Sequence, residues 1–232
     1  MYDERLRESL PRVAERIAAA QARAGRGAPV TVVAVTKGHG VAAVLAALRA
    51  GLRDVGENRV QELVEKRGEL AGSAQPVWHL IGHLQRNKVR RAITLFDRIH
   101  SIDSLRLAQE LSAEAVRADL TVRGLVQVNV SGEATKGGFD RARALAQIAA
   151  VAALPALAVE GLMTMAPFAA DEAVVRATFA ATRALLERCA GEGIALQASE
   201  LSMGMSGDYE IAIEEGSTMI RLGTILFGER VP

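Results

Sequence analysis

Leu6, Leu10, Val13 and Ile17 recur at steps of four, three and four residues, and charged side chains fill the positions between them. That is the period of a helix with one apolar face, and Gly25 and Gly27 end it. The next stretch has another rhythm. Residues 30–35 are β-branched and nearly free of polar groups, as expected of a strand covered on both faces. An alanine- and leucine-rich helix follows over 41–50, closed by Gly51. The alternation then repeats. Strand-like segments fall at 54–55, 77–81, 98–100, 122–129, 157–163, 198–201 and 218–222, with helical segments between them. The clearest helix spans 171–189, where Val175, Phe179, Thr182, Leu186 and Cys189 share one face. Strands alternating with helices predict right-handed βαβ units and a parallel sheet. Eight such strands in a chain of 232 residues predict a closed (β/α)8 TIM barrel; a doubly wound open sheet is the alternative. The first helix precedes the first strand and is expected as an extra element capping the barrel. Residues 1–232 read as a single domain, with no linker or repeat to divide them.

Composition excludes several classes. Lys plus Arg is 28 and Asp plus Glu is 27, a net charge of +1. A general nucleic-acid binder carries a strong basic excess, so none is expected. One cysteine, Cys189, forbids an intramolecular disulfide and fits a reducing compartment. The N-terminus is charged from Asp3 onward, unlike a secretory signal. The longest apolar run, 148–159, contains Pro155 and falls short of the roughly twenty residues of a membrane span. A soluble, cytoplasmic protein is the expectation.

In such barrels, functional groups gather at the C-terminal ends of the strands. Lys37 lies there, directly after the first strand in VAVTKGHG. Partial desolvation favours the neutral amine, which can attack an aldehyde; a solvent-facing loop lysine is the plainer reading. The segment 201–208, Leu-Ser-Met-Gly-Met-Ser-Gly-Asp, follows the seventh strand and precedes a helix running to about Glu215. Arg221-Leu222-Gly223-Thr224 leaves the eighth strand. Phosphate sites in these barrels are often built from the loops after strands 7 and 8, at helix N-termini. Lysine and cradle together suggest a phosphorylated aldehyde, either pyridoxal phosphate or the sugar phosphate of an aldolase. Other features point elsewhere. His79 and His83 have the spacing of helix-borne metal ligands but fall in a strand and turn, so no metal is expected. Arg86, Lys88, Arg90 and Arg91 read as a solvated helix face, and Cys189 reads as core.

Several longer motifs occur in order. They are AVTK at 34–37, GENRVQE at 56–62, WHLIGHLQRNK at 78–88, SIDS at 101–104, VNVSGEATKGG at 128–138, GLMTMAP at 161–167 and ELSMGMSGDYEIAIEEGSTMIRLGTILFG at 200–228. Through them the sequence resembles the pyridoxal phosphate homeostasis proteins, single-domain relatives of the alanine racemase N-terminal barrel.

The resemblance implies pyridoxal 5'-phosphate held as a Schiff base on Lys37. It places Ser206 and the backbone of Met205, Gly223 and Thr224 around the phosphate, with Ser202 nearby. It sets Asn58 beside the cofactor ring and Arg221 against the pyridine nitrogen. An arginine there stays charged and discourages protonation of the ring, which weakens it as an electron sink. The family is regarded as carrying or buffering the cofactor to keep vitamin B6 in balance, with no established catalysis and with apo-forms of pyridoxal phosphate enzymes as transient partners. An amino-acid racemase-like enzyme is the alternative. Alanine racemase uses a second base, a tyrosine from a separate β domain. Here the only tyrosines are Tyr2 and Tyr209, and Tyr209 is expected to be structural. Lacking a dimerising β domain, the chain is expected to be a monomer. Many relatives carry a further lysine where this sequence has His39, so a role resting on that lysine does not carry over. Lys136 is another amine near the barrel mouth and an alternative attachment point.

Overall fold

The computed structural model describes residues 1–70, 75–133, 137–167 and 170–229. Among them the order is α1 (Tyr2–Arg23), β1 (Thr31–Val35), α2 (Val41–Arg49), β2 (Asp54–Glu57), α3 (Val60–Glu69), β3 (Val77–Leu80), a 3-10 turn (Arg86–Lys88) running into α4 (Val89–Ala92), and β4 (Arg98–Ile102). Then come α5 (Leu105–Arg117), β5 (Val122–Asn129), β6 (Phe139–Asp140), α6 (Ala144–Ala152), β7 (Leu157–Met163), α7 (Glu172–Gly191), β8 (Glu200–Ser202), α8 (Tyr209–Glu214), β9 (Met219–Leu222) and α9 (Thr224–Phe227).

Every strand pairing is parallel. The sheet runs β4-β3-β2-β1-β9-β8-β7-β5, and a β4–β5 pairing closes it. The result is a closed eight-stranded barrel, not an open sheet. All eight barrel strands arise where the sequence places them. The two-residue β6, hydrogen-bonded to the end of β5, is too short to leave a period in the sequence.

Helices are amphipathic where they meet the barrel. In α7, Val175, Phe179, Thr182, Leu186 and Cys189 are all buried, and Asp171 caps the helix by accepting from the Val174 N–H at 2.9 Å. The extra helix α1 does not cap a barrel end. It buries Leu6, Val13 and Ala20 in a cluster with Ala43, Ala46 and Ala47 of α2, Tyr209 and Ile213 of α8, and Leu226 and Phe227 of α9. The physical reason is the length of α9. Four residues after β9 cannot cover that sector, so α1 fills the gap in the outer ring between α2 and α8. No helix of the described residues is long and apolar enough to cross a membrane.

Candidate functional site

One cavity of about 950 Å³ opens beside the C-terminal ends of the strands. Lys37, Asn58, Met205, Ser206, Arg221, Gly223 and Thr224 all line it. Residues spread from 37 to 224 are thus brought to one surface by barrel closure. The floor is apolar where Val35 and Ile81 meet it, and His83, Asp103 and Gln127 line another wall.

Lys37 follows β1 and is half-buried. Behind it lies a buried ion pair that the sequence reading missed. Glu57, the last residue of β2, is fully buried and Lys66 of α3 is 5% exposed. Their side chains bond directly. Lys66 Nζ also donates to the Thr36 carbonyl at 2.7 Å, and Thr36 Oγ1 donates to the same Glu57 oxygen. The pair therefore holds the residues just before Lys37 and Asn58 in place. Burial pushes the Glu57 carboxyl above the usual carboxylate range, while Lys66 and Thr36 draw it back. A signal existed: Lys66 lies on the inward stripe Val60, Leu63, Lys66 and Leu70, where a charged side chain needs a partner. Asn58 itself is positioned by Gly82, against whose Cα it packs; a Cβ at Gly82 would stand 2.5 Å from the Asn58 carbonyl oxygen.

The anion cradle joins two loops. The loop after β8 turns at Gly204, which has φ of +95° and packs so closely on Ala212 that a Cβ would lie 2.6 Å from it. Ser206 then faces the start of α9, where the Ile225 N–H reaches its Oγ at 3.4 Å. Gly223 and Thr224 begin that turn, whose first N–H groups have no partner within the helix. The Met205 N–H donates to Asp208 Oδ1 at 2.6 Å, so this backbone donor is engaged within its own loop. Ser202 belongs to β8 rather than to the loop, and its fully buried hydroxyl points at Arg221.

Arg221 is 4% exposed. It donates from Nη1 to Ser202 Oγ at 2.6 Å and from Nη2 to the Thr164 carbonyl at 3.0 Å. Burial pulls its pKa down to about 10, against the nearby Asp208 carboxylate, so it remains a cation at neutral pH.

The remaining candidates separate. His79 turns into the barrel interior, whereas His83 sits at the cavity with Asp103 Oδ2 2.7 Å from its Nδ1. Arg86, Arg90 and Arg91 are solvated and Cys189 is fully buried. Tyr209 is 1% exposed, with Arg16 stacked 5.4 Å from its ring centre. Tyr2 comes closer to the site than sequence suggests, its hydroxyl 3.1 Å from Nδ1 of the cavity residue His39. Lys136 lies outside the described residues.

The donor set fits a phosphorylated aldehyde with a ring nitrogen: a primary amine, a cradle of hydroxyl and helix-start amides, and a fixed cation. Comparison with known proteins places the chain in a family. The family model described as alanine racemase, N-terminal domain, matches residues 9–231. The chain is 43% identical over 224 residues to the pyridoxal phosphate homeostasis protein of Pseudomonas aeruginosa, covering 96% of this chain and 95% of that one. Among solved structures, it resembles an unknown protein from Bifidobacterium adolescentis with a TM-score of 0.91 and 38% identity, covering 97% and 96% of the two chains. It also resembles PipY of Synechococcus elongatus, solved with PLP bound, with a TM-score of 0.82 and 39% identity over 93% of this chain and all of that one.

Proposed function

Because the chain belongs to the alanine racemase N-terminal domain family, and within it to the pyridoxal phosphate homeostasis proteins, we propose that it binds pyridoxal 5'-phosphate and carries or buffers it in the cytoplasm as a monomer without catalysing a reaction. The observation that carries this reading is the meeting of Lys37, the Ser206–Thr224 cradle and buried Arg221 in one cavity. Bound pyridoxal phosphate supplies an aldehyde that condenses reversibly with a primary amine. Lys37 offers that amine and is the covalent anchor. Ser206, Gly223 and Thr224 hold the phosphate, with Met205 shaping the loop. Asn58 lies against the ring. Arg221 donates to the pyridine nitrogen and keeps a proton off it, which favours holding the cofactor over carbanion chemistry.

Cofactor-loaded protein mixed with the apo-form of a pyridoxal phosphate enzyme is expected to restore that enzyme's activity. Exchange of the α-hydrogen of L-alanine in D2O is expected to stay at the rate given by free pyridoxal phosphate. Exchange well above that rate, and lost in Lys37→Ala, would overturn the non-catalytic reading in favour of a racemase-like enzyme.

A further inference from the structure

Arg221 is the cavity end of a chain of hydrogen bonds that runs the depth of the barrel. Beyond Arg221 Nη1 and Ser202 Oγ, at 2.6 Å, the Ser202 hydroxyl stands 2.9 Å from His100 Nδ1. His100 Nε2 is 2.8 Å from His79 Nδ1. His79 Nε2 is 2.9 Å from Asp54 Oδ1. Ser202, His100 and His79 are fully buried. Asp54, the first residue of β2, lies toward the opposite mouth with 30% of its side chain exposed.

Counting protons fixes the two ends of the chain and favours one direction between them. A guanidinium only donates, so Ser202 Oγ accepts from Arg221; the hydroxyl has room for a second donor, but giving its own proton to His100 Nδ1 is the pattern that uses that proton. The His100 proton is then on Nε2, and it is donated to His79 Nδ1. The His79 proton is likewise on Nε2, and Asp54 accepts it. All donors point one way, from a cation at the cavity to a carboxylate at the other mouth. In this pattern each ring carries a proton on Nε2. The charged groups facing the rings are Arg221 from β9, Arg98 from β4 and Asp54 from β2. Arg98 is in turn held 2.6 Å from Glu160 of β7, which also accepts from Arg123 of β5 at 2.6 Å. Burial first, then neighbouring cationic charge, drives His100 well below the usual histidine range, in agreement with a neutral His100.

We propose that Ser202, His100, His79 and Asp54 are positioning residues that orient Arg221 toward the cofactor's pyridine nitrogen and couple that contact to the far mouth of the barrel. The proposal rests on the cofactor reading above. A proton added to His100 Nδ1 makes that atom a donor, and the bond to Ser202 has to reverse.

The chain itself is tested on cofactor-free protein. Side-chain nitrogen NMR is expected to show His100 neutral at pH 7 and protonated on Nε2, donating to His79; a charged His100 ring or an Nδ1–H tautomer there overturns the assignment. Unfolding gives a second reading of the same state. In the unfolded chain His100 titrates near 6.5. Below that pH the unfolded state binds the extra proton, so the folded-to-unfolded ratio falls as pH drops, by up to about tenfold per pH unit. The coupling is tested on loaded protein. Asp54→Leu removes the final acceptor without touching the cavity. It is expected to alter the visible circular dichroism of the bound cofactor and to weaken binding about tenfold, the scale of one hydrogen bond to a charged group. Asp54→Asn, which keeps an acceptor oxygen, is expected to restore both. Ser202→Ala breaks the link beside Arg221 by removing a single oxygen and is expected to match Asp54→Leu. A purely structural role would lower the melting temperature and leave the spectrum unchanged. Spectra and affinities equal to wild type in Asp54→Leu and Ser202→Ala would overturn the coupling. Absence of any cofactor binding by the wild type would instead overturn the cofactor reading and leave the NMR result standing.

Discussion

Lys37→Ala is expected to abolish covalent retention of pyridoxal phosphate while leaving the barrel folded. Lys37 is half-buried and follows β1, whose packing comes from Val33, Ala34 and Val35. Truncating it leaves those buried side chains in place, so the fold is expected to persist. The phosphate cradle and Arg221 remain, so weak non-covalent binding is expected to persist. Visible absorbance after desalting measures the difference. Wild type is expected to keep its colour and the variant to lose it. Equal retention by both proteins would move the anchor away from Lys37.

Lys66→Met is expected to be the most destabilising single change at the site. It leaves the Glu57 carboxylate, fully buried, without its cation. Breaking a buried pair from one side costs about 3–5 kcal/mol, because an uncompensated charge stays behind. The Thr36 carbonyl loses its Lys66 partner as well, so the backbone before Lys37 is released and cofactor affinity is expected to fall with stability. Lys66→Met combined with Glu57→Gln removes both charges and is expected to recover much of the loss. Urea unfolding of the two proteins measures this, and a single variant as stable as wild type would show that the pair holds nothing in place.

The sequence made the barrel legible because its strands are covered on both faces. Runs such as Thr31–Val35 and Val122–Asn129 stand out from the helical period on either side. The cavity was legible for a related reason. Lys37 and Arg221-Leu222-Gly223-Thr224 lie at strand ends, and the topology of such a barrel carries strand ends to one face. Ser202 was placed in the wrong setting because strand β8 is only three residues long and runs one residue beyond the apolar segment. Pairings across the barrel were not legible at all. His79 meets His100 and Asp54, and His100 meets Ser202. Those contacts depend on the register between strands, which leaves no local period. The position of α1 was hidden for a similar reason. Its apolar face was readable, but what it covers depends on how short α9 is.

The central claim is that Lys37 anchors the cofactor, and the chain makes it sharply testable. It contains four lysines, at positions 37, 66, 88 and 136. Lys66 is committed to a buried ion pair. Borohydride reduction of the loaded wild-type protein, followed by digestion and mass spectrometry, would show which lysine carries the cofactor. The account predicts a single adduct on Lys37. An adduct on Lys136 instead, or no adduct on any lysine of a protein that has bound the cofactor, would contradict it.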